Sequence, residues 1–267
     1  LFFGDSYQED AMLTLNNISS SLNNQQLLSH INAEFFEGEV IGIIGKPASG
    51  KSLLLQVIAQ HIQYDGHIMF NKKPIRTYTK RALSAQIAFH PFSILQNPYL
   101  TVHDYLLLSR LPHKKFLSSF SSYDHDVVND YIALFELQPF VDVPIVTVSS
   151  DVMQRALLAF HFIRESILLM LDNPTQNLSL SSYTILHNAI IKYTSSGKNL
   201  CIIASHDLNF LTQTTDKLYI MDTGTIASWY LPADINETII KKYLDVDVFI
   251  TRNIYNGKPN VHLYFES

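Results

Sequence analysis

Cysteine occurs once in the 267 residues, at Cys201. No disulfide forms within such a chain, which fits a reducing compartment. Cys201 lies in an apolar, strand-like run and reads as a buried, inert thiol. Long apolar runs are also missing. None approaches the ~18 residues needed to span a bilayer, and Leu1 to Asp10 lacks the basic-then-apolar order of a signal peptide. Work at a membrane would then go through a partner. Basic charge is scarce: a net charge of −5 and a pI near 6.1 disfavour a duplex nucleic-acid surface, so no nucleic-acid partner is expected. There is no internal repeat and no low-complexity tract. No Cys/His cluster has metal-ligand spacing. His61, His67, His103, His113, His125, His161 and His187 are scattered and read as surface or satisfied core residues. His90 alone among the others stands near the predicted site.

What is present suffices for a sizeable core. Apolar residues make up 47% of the chain, and the length suits one large α/β domain or a core with a smaller subdomain. The most informative stretch is Gly45-Lys46-Pro47-Ala48-Ser49-Gly50-Lys51-Ser52, which fits the phosphate-loop pattern G-x-x-x-x-G-K-[ST]. Glu39 to Ile44 before it reads as a buried strand, and Leu53 to Ala59 after it as a helix. Strand, glycine loop and helix let successive backbone N–H groups wrap a phosphate at a helix N-terminus. A nucleoside triphosphate is the expected ligand, with Lys51 reaching its β- and γ-phosphates and the Ser52 hydroxyl on Mg²⁺. An ordinary strand-turn-helix is the alternative.

Asp172 follows four large apolar residues, at the C-terminal end of a predicted strand, Ile167 to Asp172. A carboxylate there helps hold Mg²⁺ beside the loop serine, and parallel strands would deliver both to one sheet edge. The alternative is a cap on the turn before Pro174. Elsewhere, Ala11 to Glu39 alternates as a hairpin around Asn23-Asn24. Gly66 to Asn71 and Gln86 to His90 read as strands. From Thr101 to Arg164 the period is helical, with a further helix near Tyr183 to Tyr193 and strands at Asn199 to Ala204 and Lys217 to Met221. The predicted fold class is α/β: a phosphate-loop nucleotidase core, a mixed sheet flanked by helices.

The order of these elements resembles the ATP-binding subunit of an ABC transporter, over nearly the whole chain. Leu171-Asp172-Asn173-Pro174-Thr175 resembles the family's Walker B sequence, L-D-E-P-T. Ala204-Ser205-His206-Asp207-Leu208 resembles its switch-histidine segment, which implies that His206 contacts the γ-phosphate; a loop histidine without that role is the alternative. Val148 to Arg155 sits at the spacing of the signature L-S-G-G-Q-x-Q-R, matching at Ser149, Gln154 and Arg155. The resemblance implies a single nucleotide-binding domain over 1–267. Its parts would be an antiparallel β-subdomain, an inserted helical subdomain near 95–165 and a C-terminal extension near 228–267. It also implies a dimer, with ATP between one subunit's phosphate loop and the other's signature. Thr101-Val102-His103-Asp104-Tyr105-Leu106 with Ser109-Arg110-Leu111-Pro112-His113, and the tail Leu244 to Phe249 with Asn256 to Pro259, are similar to importers of iron-siderophore, haem and cobalamin. The implied partners are a membrane permease, contacted over 92–115, and a second ATP-binding subunit, the same or a paralogue. An external substrate-binding protein would act through the permease. The implied location is the cytoplasmic face of the plasma membrane.

Several turnover positions depart from the pattern. Asn173 replaces a glutamate; an amide orients water but accepts no proton, and general-base help is typically ~10²–10⁴-fold. Ser150 and Asp151 replace two glycines, and Asp151 is expected to set negative charge beside the partner's γ-phosphate. Phe92 stands at the usual loop glutamine, with Gln96 four residues on. Leu22 stands where an aromatic usually stacks on adenine. The expectation is Mg-ATP binding with impaired hydrolysis. Two other readings remain: a non-hydrolysing regulatory subunit paired with a competent paralogue, and a phosphate-loop nucleotidase or kinase unrelated to transport.

Overall fold

The computed structural model describes residues 11–22, 25–90, 100–114 and 118–263. The predicted turn residues Asn23-Asn24, together with Phe92 and Gln96, lie outside this set, as does the side chain of Leu22. The chain opens with the antiparallel pair β1 (Leu13–Leu22) and β2 (Gln25–Phe35), as the alternation predicted. Next come β3 (Val40–Ile44), the phosphate-loop segment and α1 (Lys51–Ile58). Strands β4 (Asp65–Phe70) and β5 (Lys73–Pro74) complete a first sheet in the order β2-β1-β4-β5.

A short helix the sequence reading did not find, α2 (Lys80–Gln86), leads into β6 (Ile87–His90). The helical stretch resolves into α3 (Val102–Leu108), α4 (Ser122–Leu134) and α5 (Ser150–Ile163). Then β7 (Leu168–Asp172), α6 (Leu180–Thr194), β8 (Leu200–Ala204), α7 (Leu208–Thr214), β9 (Lys217–Asp222) and β10 (Thr225–Tyr230) return to the core. The tail is α8 (Glu237–Leu244) and the hairpin of β11 (Val248–Arg252) and β12 (Pro259–Leu263). Helix starts are marked by side-chain caps: Thr101, Ser121, Ser149, Ser179, Asp207 and Asn236 each accept a backbone N–H of the first turn.

The second sheet runs β10-β9-β3-β8-β7-β6, parallel from β9 to β6, with β10 antiparallel at its edge. Its central strands β3, β7 and β8 are buried along their whole length, which is why they read as continuous apolar runs. The pleat sorts their side chains into two cores. Leu169, Leu171, Cys201, Ile203, Leu218 and Ile220 face the helical layer with α5 and α6. Ile41, Ile43, Leu168, Met170, Ile202 and Met221 face α1 and the antiparallel sheet. The even-numbered residues of β7 therefore point to the α1 side. Asp172 is the next of them.

Candidate functional site

The loop after β3 is closed by close packing and by its own lysine. A Cβ at Gly45 would stand 2.2 Å from the Met221 carbonyl oxygen and 2.6 Å from Ser49 Oγ, so only glycine fits. Lys51 Nζ donates to the carbonyls of Gly45 (2.8 Å) and Lys46 (2.9 Å) and to Ser49 Oγ (3.2 Å). Burial lowers this ammonium to about 8 while the Asp172 charge raises it, so it remains a cation at neutral pH. The loop is curled around a positive charge, with Lys46, Pro47 and Ala48 at its crest.

Ser52 and Asp172, 120 positions apart, meet: Ser52 Oγ donates to Asp172 Oδ1 at 2.9 Å. The same oxygen accepts Asn173 Nδ2 at 3.2 Å. Asp172 is almost fully buried. Burial raises its carboxyl above the usual aspartate range, opposed by the Ser52 hydrogen bond and the Lys51 charge. A hydroxyl and a desolvated carboxylate are hard oxygen donors, and an added dication would restore the charge that burial disfavours. The donor set therefore fits Mg²⁺, and the lysine-centred loop fits a phosphate chain. Asn173 holds a left-handed backbone (φ 47°), and its N–H donates to the Ala204 carbonyl at 2.7 Å.

His206 follows β8 in the turn that Asp207 caps onto α7. It lines a cavity of about 360 Å³ over the loop, with Lys51, Ser52 and Gln56. It also lines a second cavity, of about 710 Å³, with Asn173, Thr175 and Tyr183. Partial burial, then the Lys51 charge, lower its imidazole below the usual value, so it is neutral at pH 7. Gly45 to Ser52, Asp172, Asn173 and His206 thus surround one region. Leu27 and Gly224, which help to build it, were not read from the sequence. A signal existed for Gly224, in the turn-forming Asp222-Thr223-Gly224.

The signature-like segment has a different structural part. Ser149 caps α5 through Val152 N (3.4 Å). Gln154 Nε2 donates to the Pro174 carbonyl (3.2 Å), tying α5 to the turn beyond Asp172. Arg155 Nη1 donates to the carbonyls of Phe135 and Glu136 at the end of α4. The negative charge of Asp151 is compensated within the chain. Its Oδ2 pairs with Arg155 Nε (3.1 Å) and its Oδ1 accepts Ser179 N–H (2.7 Å). Burial alone would raise this carboxyl, but the Ser179 and Ser182 hydrogen bonds and Arg155 outweigh it, and the net shift is downward.

His90 and His161 form an edge-to-face pair with ring centroids 5.1 Å apart. Among the described residues, His161 Nδ1 is buried without a hydrogen-bond partner. The expectation of satisfied core histidines fails there, because the ring is packed against Phe160 and His90 with no acceptor or donor at that nitrogen.

A family model described as "ABC transporter" matches residues 28–176. An uncharacterised ABC transporter ATP-binding protein of Methanocaldococcus jannaschii is 28% identical over 240 residues, covering 90% of this chain and 93% of that protein. The petrobactin import ATP-binding protein FpuC of Bacillus anthracis is 24% identical over 225 residues, 84% of this chain and 83% of the relative. The vitamin B12 import ATP-binding protein BtuD of Photorhabdus laumondii is 27% identical over 220 residues, 79% and 84% respectively. Among solved structures, a nucleotide-free ATP-binding cassette from an ABC transporter shares the fold, with a TM-score of 0.73 at 20% identity over 88% of this chain and 95% of that one.

Proposed function

The chain belongs to the ABC transporter family, and from that premise we propose that it is the ATP-binding subunit of an importer for iron-siderophore, haem or cobalamin-like substrates. The observation that carries the nucleotide reading is the meeting of Ser52 with Asp172 beside a loop centred on Lys51. In this reading the loop N–H groups and Lys51 bind the phosphates, and Ser52 and Asp172 hold Mg²⁺. When bound, that ion offsets charge on the phosphate oxygens. His206, neutral at pH 7, donates a hydrogen bond toward the terminal phosphate. Asn173 orients water without accepting its proton.

The import direction and the substrate class are supported by the petrobactin and vitamin B12 relatives. No helix among the described residues is long and apolar enough to cross a membrane. The proposed assembly is therefore peripheral, at the cytoplasmic face, on a permease contacted over 92–115. An external substrate-binding protein would act through that permease. The proposal treats 1–267 as one nucleotide-binding domain, with a helical subdomain near 95–165 and a C-terminal extension near 228–267. A second ATP-binding subunit, identical or paralogous, completes the dimer.

Asn173 also favours a second reading, a nucleotide-binding regulatory subunit that does not hydrolyse ATP. Steady-state phosphate release from the purified protein separates the two. Mg-ATP should bind, with turnover at least about tenfold below that of a subunit carrying the glutamate. Asn173→Glu should raise turnover by about tenfold, short of the full ~10²–10⁴ of a general base, because Ser150 and Asp151 remain. Wild-type turnover equal to that of the glutamate variant would refute the impaired site.

A further inference from the structure

His206 stands between two cavities. One lies over the phosphate loop, with Lys51 and Ser52. The other lies toward α6, with Thr175, Tyr183 and Asp207. His206 is too exposed for packing to choose between them. The backbone on either side of it is anchored. Ser205 is buried, its N–H donates to the Ile43 carbonyl (3.1 Å), and its Oγ accepts the Asp207 N–H (3.0 Å). Asp207 Oδ1 accepts the Phe210 N–H (2.9 Å) and so starts α7. One carboxylate thus fixes the chain just beyond the histidine.

Tyr183, in the first turn of α6, reaches that carboxylate from the far side of the second cavity. Its ring packs edge-to-face on Phe210, with centroids 5.8 Å apart, which brings the phenol to the start of α7. The hydroxyl hydrogen-bonds to the Asp207 carboxylate and to the Thr175 hydroxyl. A phenol has one proton to give and a carboxylate only accepts, so Tyr183 donates to Asp207 and Thr175 donates to the phenol oxygen. Burial first, then the Asp207 charge, raise the phenol above its usual value, so it keeps that proton at pH 7. Thr175 is buried in the turn that begins at Asn173, where Gln176 N donates to the Asn173 carbonyl (3.2 Å). One side chain therefore links the turn after β7 to the turn after β8.

We infer that Tyr183 is a positioning residue for His206, bracing Asp207 against Thr175 so that the imidazole is held on the phosphate-loop side. This rests on the reading of His206 as a donor to the terminal phosphate of ATP. A hydrogen bond weakens steeply as it bends, so a donor on an exposed turn needs its backbone held. Tyr183 supplies that hold from α6 and touches no phosphate itself.

The test is displacement of a fluorescent ATP analogue from the full chain with Mg²⁺, by ATP and by ADP. ADP lacks the terminal phosphate, so the ratio of the two affinities isolates contacts to that group. His206→Ala should lower the preference for ATP by about tenfold or more, as for a lost hydrogen bond to a charged group. Tyr183→Phe keeps the ring on Phe210 and removes the hydroxyl; it should lower the preference by about two- to twelvefold with ADP affinity unchanged. In the double variant the loss should not exceed that of His206→Ala, because Tyr183 acts through the histidine. Thr175→Val cuts the other end of the brace and should reproduce the selective loss, whatever the folding of the Tyr183 variant. An unchanged ratio in Tyr183→Phe, folded by thermal melting, overturns the inference. Equal losses for ATP and ADP, or additive losses in the double variant, do the same. A ratio unaltered by His206→Ala would sink the reading of the histidine itself, a result distinct from any given by the Tyr183 and Thr175 variants.

Discussion

His90 ends β6 with its ring buried, and burial lowers its imidazole to about 4. His161 beside it is lowered by burial first, then by electrostatic interaction with His90 and Arg164. Both are neutral in the folded chain at pH 7 and would bind protons readily once exposed. Between about pH 6.5 and 4 the unfolded chain therefore carries more protons than the folded one, so stability falls as pH falls through that window. Urea midpoints measured across it should drop steadily for the wild type. His90→Gln should give a shallower slope, with His161 supplying what remains. An unchanged slope would show that His90 is not the group responsible.

At the scale of elements, α5 shows how a departure from a family pattern is built into a fold. Its first turn is fastened at both ends of the Asp151 carboxylate, to Arg155 within the helix and to Ser179 at the start of α6. Replacing the acid by the family's usual residue, Asp151→Gly, removes both hydrogen bonds and adds chain entropy to the unfolded state. The expected cost is about 2 kcal/mol, read from urea unfolding monitored by circular dichroism, and no loss would show that the pair contributes little. The spacing Ser149, Gln154, Arg155 was legible through its resemblance to the family signature. The compensation of Asp151 was not, because Ser179 reaches it only after the chain has crossed β7 and returned.

For the whole molecule, Arg110 ties the elements of the helical block to one another. Its buried guanidinium pairs with Asp124 (2.9 Å) in α4 and Glu165 (2.8 Å) after α5, and donates to the Ile163 carbonyl (2.7 Å). Removing a buried charge strands its partners, at a cost of about 3–5 kcal/mol. Arg110→Met should therefore lower thermal stability sharply while nucleotide binding, measured well below the transition, is retained, since no phosphate-loop residue touches Arg110. Loss of binding in a variant still folded would instead couple the helical block to the loop.

The run from Gly45 to Ser52 decided its own geometry, because strand, tight loop and helix follow from neighbouring residues: apolar β-formers, glycines and a helix-forming leucine stretch. Most helical and strand segments were likewise readable from local order, whereas the turnover position of Asn173 was read from the resemblance to Walker B. Tertiary structure decided what lies together. Asp172 reaches Ser52 because the register of β7 on β8 and β8 on β3 turns its even positions toward α1; a shift of one residue would have sent it to the opposite face. Gly224 sets Leu27 against the cavity through contacts made only when β9 and β2 come together. Local sequence spacing fixes which groups a segment offers, whereas strand register and backbone approach fix which of them, over a hundred positions apart, share a site.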